Sequence, residues 1–134
     1  SQADWTKVSI RQLVQAEAEA FGADRINAAG PEVDLLPEQS LSLGMVIHEM
    51  ATNAAKYGAL SNEHGRAKVS GQVRDGHLAL QWSEHDGPEV HSPERKGFGL
   101  VLIEGQVKFQ MRGEVQTHFP PGGFILDLNF PLSQ

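Results

Sequence analysis

The stretch from Pro37 to Tyr57 constrains the fold most, because its pattern fits only a long amphipathic helix. Pro37-Glu38-Gln39-Ser40 suits a helix start, where a missing backbone N–H costs nothing, and Gly58 stands at the stop position. Between them Leu43, Val46, Ile47, Met50, Ala51 and Ala54 recur at helical spacing. A helix with such a stripe must bury it against a second layer. Glu49, Asn53 and Lys56 follow one another at steps of four and three, so these three polar side chains share a second stripe.

The second layer is legible as strands. Residues 66–73 and 77–82 alternate in character and are separated by the turn pair Asp75-Gly76, which predicts a hairpin. Residues 113–119 and 124–130 repeat the pattern around Pro120-Pro121-Gly122-Gly123. Residues 8–21 read as an amphipathic helix stopped by Gly22, and residues 25–35 as one or two short extended segments bent at Gly30-Pro31. Residues 60–65 read as a polar loop, 84–99 as a surface loop without periodicity, and 100–109 as a short helix. The expected fold is a two-layer α/β (α+β) sandwich, with helices covering one face of a mixed, mainly antiparallel sheet. There is no internal repeat, and residues 1–134 read as one domain.

Composition narrows the chemistry. No cysteine occurs among the 134 residues, so disulfides, thiolate metal sites and a cysteine nucleophile are excluded. A formal net charge of -6 disfavours nucleic acid as a partner, since nonspecific affinity for its backbone needs clustered Lys and Arg. The chain has neither a signal-peptide pattern at its start nor an apolar run of about eighteen residues, so a soluble cytoplasmic segment without direct membrane contact is expected.

Three constellations carry candidate chemistry. On the long helix, the Glu49 carboxylate and the Asn53 carboxamide project side by side, one suited to orienting a reacting group and the other to giving oxygen to a hard cation. Taken alone, a solvated polar stripe accounts for them equally well. His48-Glu49 also opens the zinc-protease pattern H-E-x-x-H, but Thr52 occupies the second histidine position, and the remaining histidines lack ligand spacing, so no zinc is expected. The second constellation, Trp82-Ser83-Glu84-His85-Asp86-Gly87-Pro88, places carboxylates where a strand runs into a turn, a position from which one can accept a hydrogen bond from an exocyclic amine. The third, Lys96-Gly97-Phe98-Gly99-Leu100, sets two glycines before an apolar helical run, where free amides can meet a phosphate.

In this order the three resemble the GHKL ATPase family of histidine kinases, gyrase-type topoisomerases and Hsp90 chaperones. His48 in HEMATNAAKYGALS, Trp82-Ser83-Glu84 and the GFGLVLI segment resemble the HWE histidine kinases in particular, and the likeness runs from about Val8 to Pro131. The resemblance implies a GHKL-type ATP-binding catalytic domain with ATP and Mg²⁺ as cofactors. By this analogy Asn53 holds Mg²⁺, Glu49 positions or polarises the reacting group, and Lys56 neutralises phosphate charge. His48 and Tyr57 lie near the nucleotide, Glu84 reads adenine, and Gly97, Phe98, Gly99 and Leu100 frame the phosphates. The family's turn usually reads E-x-G-G-P, whereas Asp86 here replaces a glycine before Gly87, which makes Asp86 the second choice for the adenine contact. The segment between Gly87 and Gly97 is short for an ATP lid, as in HWE members, which implies weak nucleotide affinity.

The implied activity is transfer of the γ-phosphoryl group of ATP to a histidine, then to an aspartate. The implied partners are a phosphoacceptor dimerisation domain, expected to lie outside these residues, and a response regulator. Without that domain the chain is expected to bind ATP but not to autophosphorylate. The alternatives are an anti-sigma-type GHKL serine kinase, against which His48 and Trp82 speak, and a noncatalytic docking module of the same fold.

Overall fold

A computed structural model of the chain describes residues 8–89 and 98–132. The elements in order are β1 (Val8–Ser9), α1 (Ile10–Phe21), β2 (Ile26–Ala29), β3 (Asp34–Leu35), α2 (Pro37–Tyr57), a 3-10 turn (Ala59–Ser61), β4 (Arg66–Arg74), β5 (His77–His85), α3 (Phe98–Gly105) running into a π-helical stretch (Gln106–Gln110), β6 (Glu114–His118) and β7 (Ile125–Pro131).

Five strands form the main sheet in the order β2-β4-β5-β7-β6, and β1 pairs with β3 in a small separate ribbon. Only the β2–β4 pairing in the main sheet is parallel. Val69, Trp82 and Leu126 lie abreast across β4, β5 and β7, as do Val73, Leu78 and Phe130. Side chains alternate along a strand, so these rows point to one face, and α1, α2 and α3 cover it. The opposite face carries Ser70, Gln72, Gln81, Gln116, Asp127 and Asn129, which line an open concavity of about 520 Å³. A sheet with one packed and one wet face needs this alternation, and the two-layer sandwich expected from the sequence is the observed architecture.

The core joins Ile10, Val14 and Ala18 of α1 to Leu43, Val46, Ile47, Met50, Ala51 and Ala54 of α2, and to Leu100 and Ile103 of α3. Pro37 stands in the first turn of α2. Gln39 fastens that end: its Oε1 accepts from the Leu36 backbone N–H, and its Nε2 donates to the carbonyls of Pro131 and Leu132. Burial of this glutamine is compensated because both ends of its amide are used.

Several boundaries differ from expectation for local reasons. Val8 and Ser9 leave the first helix because Val8 pairs with Leu35, while the Ser9 hydroxyl accepts from the Gln12 amide and caps α1. Strand β5 continues three residues past Trp82, because Ser83 pairs with Lys68 and Ile125, and Glu84 and His85 stay in register with β4. Glu84 is therefore a strand residue, and the turn begins at Asp86. A 3-10 turn opens the expected 60–65 loop. Phe98 and Gly99 lie within α3 rather than before it, and the expected helix end at 109 is π-helical from Gln106. Gly97 and most of the expected lid fall outside the described residues. No described helix is long and apolar enough to cross a membrane.

Leu43 of α2 is completely buried in the core between helices and sheet. Leu43→Ala is expected to cost about 2–5 kcal/mol, read from urea unfolding; a loss below about 1 kcal/mol would mean that α2 does not organise this core.

Candidate nucleotide site

Helix α2 brings Glu49, Asn53 and Lys56 to its second half, and no side chain of the three makes a hydrogen bond or ion pair with a described residue. For Lys56, which is exposed, that is ordinary. For Asn53 it is not, because the residue is only 8% exposed and its carboxamide has no partner among the described residues. A buried amide without a partner costs about 1–3 kcal/mol, so such a group needs a physical explanation, and an absent ligand or ion is one. The oxygens of Asn53 and Glu49 are of the hard type that suits Mg²⁺. Tyr57 ends the helix, half exposed.

The helix end is fixed to the sheet by one carboxylate. Glu84, 3% exposed, points to the helix-covered face of β5. Its Oε1 accepts from the Ala59 backbone N–H at 3.0 Å, and its Oε2 accepts from the Trp82 indole N–H at 2.8 Å. Residues two apart on a strand share a face, so Trp82 and Glu84 are neighbours by geometry alone. Trp82 is itself 1% exposed, so the indole N–H needs a buried acceptor and the carboxylate needs a buried donor. Each satisfies the other.

Ala59 is held from its other side as well. The Arg25 guanidinium donates to the carbonyls of Ala59, Asn62 and Gly65, while Asn62 Oδ1 accepts from the Gly65 amide at 2.7 Å. Asn62 Nδ2 reaches the Asp86 carbonyl. The backbone at Gly87 packs on Ala59 so closely that a β-carbon there would overlap the Ala59 backbone. Asp86 has φ +60°, a left-handed conformation, and its side chain is exposed. That conformation gives a reason for glycine in the E-x-G-G-P form of this turn.

The residues expected from the sequence thus fall in four places among the described residues. Asn53, Lys56 and Tyr57 occupy the C-terminal half of α2, and Glu84, Asp86 and Gly87 lie at the end of β5, joined to α2 through Ala59. Leu100 is buried in α3. His48 sits apart from the Ala59 junction, on the side of α2 that faces α1, with Nδ1 3.0 Å from Glu17 Oε1. Sequence reasoning missed Arg25, Ala59, Asn62 and Glu17. Arg25 acts on carbonyls 34 to 40 residues away, which no local pattern signals. Trp82→Phe keeps an aromatic ring but removes the N–H and part of the buried volume, and is expected to destabilise the fold by at least about 1–3 kcal/mol through the carboxylate left short of a donor and the cavity left behind. Chemical denaturation measures this, and unchanged stability would show that the indole N–H does not support Glu84.

No family model matches the chain. A blue-light-activated histidine kinase of Brucella anthropi is 35% identical over 137 aligned residues, which take in 97% of this chain but 28% of that protein. The chain therefore spans less than a third of that relative's length. Among solved structures, the histidine kinase domain of a blue-light activated histidine kinase from Erythrobacter litoralis superposes with a TM-score of 0.72 at 22% identity, over 90% of this chain and 58% of that one. The ATP binding domain of PrrB from Mycobacterium tuberculosis gives a TM-score of 0.71 at 19% identity, over 96% of this chain and 98% of that one. At such identities the superpositions speak for the fold alone. In sequence this chain is a homologue of the blue-light-activated histidine kinases, and its fold is the one that histidine kinase catalytic domains have.

Proposed function

We propose that the chain binds Mg-ATP between the C-terminal half of α2 and the turn after β5, and that within a full-length cytoplasmic kinase it delivers the γ-phosphoryl group to a histidine of a helical dimerisation domain. From there the phosphoryl group passes to an aspartate of a response regulator. The observation that carries this reading is Asn53, a buried carboxamide without a partner among the described residues, on one stripe with Glu49 and Lys56. The histidine kinase homologues and the ATP binding domain of the same fold support it.

Each residue has a role that follows from its chemistry. Asn53 offers its amide oxygen to Mg²⁺. Mg²⁺ held there would supply charge neutralisation for the phosphates. Lys56 sets a flexible cation beside the phosphates, and Glu49 orients the attacking group. Positioning and charge neutralisation provide most of the acceleration in phosphoryl transfer, which needs little covalent help. By the family resemblance Phe98, Gly99 and Leu100, in the first turn of α3, frame the phosphates together with Gly97, which lies outside the described residues.

Glu84 reads the 6-amino group of adenine. The Ala59 amide and the Trp82 indole N–H fix the plane of its carboxylate. Asp86 is the exposed competitor. Glu84→Gln is expected to erase the preference for ATP over GTP, whereas Asp86→Gly retains it and holds or raises the melting temperature by relieving the left-handed backbone. The opposite pattern would assign adenine to Asp86.

Calorimetric titration of the chain with ATP and GTP, with and without Mg²⁺, tests the whole reading. Mg²⁺-dependent binding that prefers ATP is expected, and Asn53→Ala should weaken it at least about tenfold, equivalent to about 1.4 kcal/mol, with the fold intact. Normal Mg-ATP binding by Asn53→Ala would remove the assignment, and no nucleotide binding by the wild-type chain would favour a noncatalytic docking module.

A further inference from the structure

His48 and Glu17 form a pair with a defined polarity. Glu17 rises from α1 with its side chain 18% exposed, and His48 stands in front of it on α2 with its side chain 62% exposed. An ionised carboxylate only accepts, so the 3.0 Å contact requires the proton on Nδ1. Nε2, the outward nitrogen, has no partner among the described residues. His48 also lines a groove of about 450 Å³ with Glu49 and the apolar side chains of Leu13, Leu41, Met45 and Leu102. A surface contact between two such side chains adds little stability, about 0–1 kcal/mol at most. A carboxylate behind an imidazole is also the arrangement that orients a proton-accepting histidine.

We propose that Glu17 is a positioning residue that holds His48 in its Nδ1–H form, so that Nε2 accepts the proton released during phosphoryl transfer; this rests on the histidine kinase reading above. The lone-pair nitrogen of the acceptor imidazole forms the N–P bond. The bond from the γ-phosphorus to the β,γ-bridging oxygen breaks, and its electron pair leaves with ADP. The other ring N–H of the acceptor, made acidic by the new bond, gives its proton to His48 Nε2. The resulting charge on His48 is met by the Glu17 carboxylate. The pair thus acts on the acceptor side of the reaction, and His48 is not required for nucleotide affinity.

The test combines two measurements on Glu17→Ala, His48→Ala and the double variant. Nitrogen-15 NMR of the 134-residue chain should report His48 as the Nδ1–H tautomer in the wild type and a shift towards Nε2–H in Glu17→Ala. In a full-length kinase carrying this domain, Glu17→Ala should slow single-turnover autophosphorylation at saturating Mg-ATP by about 10- to 100-fold, with calorimetric Mg-ATP affinity within about twofold. The double variant should be no slower than His48→Ala, because Glu17 acts only through His48. Additive losses, an unchanged tautomer, or wild-type rates in His48→Ala would overturn the proposal. Loss of Mg-ATP binding in the wild-type chain would instead overturn the reading on which it rests.

Discussion

A carboxylate removed from water at the end of β5 has to be given hydrogen bonds, and the way Glu84 obtains them fixes the rest of the candidate site. One oxygen takes the indole N–H two residues earlier on the same strand face, and the other takes the Ala59 amide, two residues past the end of α2. The second bond sets where α2 ends relative to the sheet. Asn53, Lys56 and Tyr57 are carried on that helix, so their placement opposite the β5 turn follows from it. Arg25 and Asn62 then hold the 59–65 segment by its carbonyls and amides, which leaves the turn at Asp86 and Gly87 little room to move. Removing either donor from Glu84 would leave a buried charge short of compensation, which is why this junction is costly to alter.

The helical layer divides its labour around that junction. The apolar stripe of α2 is consumed by the core, and the polar stripe at Glu49, Asn53 and Lys56 remains for a ligand. His48 belongs to neither stripe. It faces α1, where Glu17 meets it. A nucleotide side and an acceptor side on one helix would let phosphoryl donor and phosphoryl acceptor approach from different directions, as an in-line displacement requires.

Much of the fold was legible in the sequence for simple reasons. The spacing from Leu43 to Ala54, bounded by Pro37 and Gly58, has no other stable interpretation than α2, and Asp75-Gly76 takes left-handed backbone, φ 52° and 76°, as a tight hairpin needs. What escaped were pairings between distant segments. Nothing local announces that β2 lies parallel to β4, or that Arg25 reaches Ala59 and Gly65. The end of β5 was misjudged because Ser83, Glu84 and His85 are polar, yet Ser83 and Glu84 are buried. A strand continued to His85 would have shown Trp82 and Glu84 on one face. The turn signal at Asp86-Gly87-Pro88 was already visible.

The most direct measurement is amide NMR of the labelled chain as Mg-ADP is added. Resonances of Asn53, Lys56, Ala59 and Asp86 should move together and saturate, while Ser70, Gln72, Gln81 and Asp127 on the open sheet face stay still. Shifts confined to that open face, where a concavity of about 520 Å³ also lies, would contradict a nucleotide site at the end of α2.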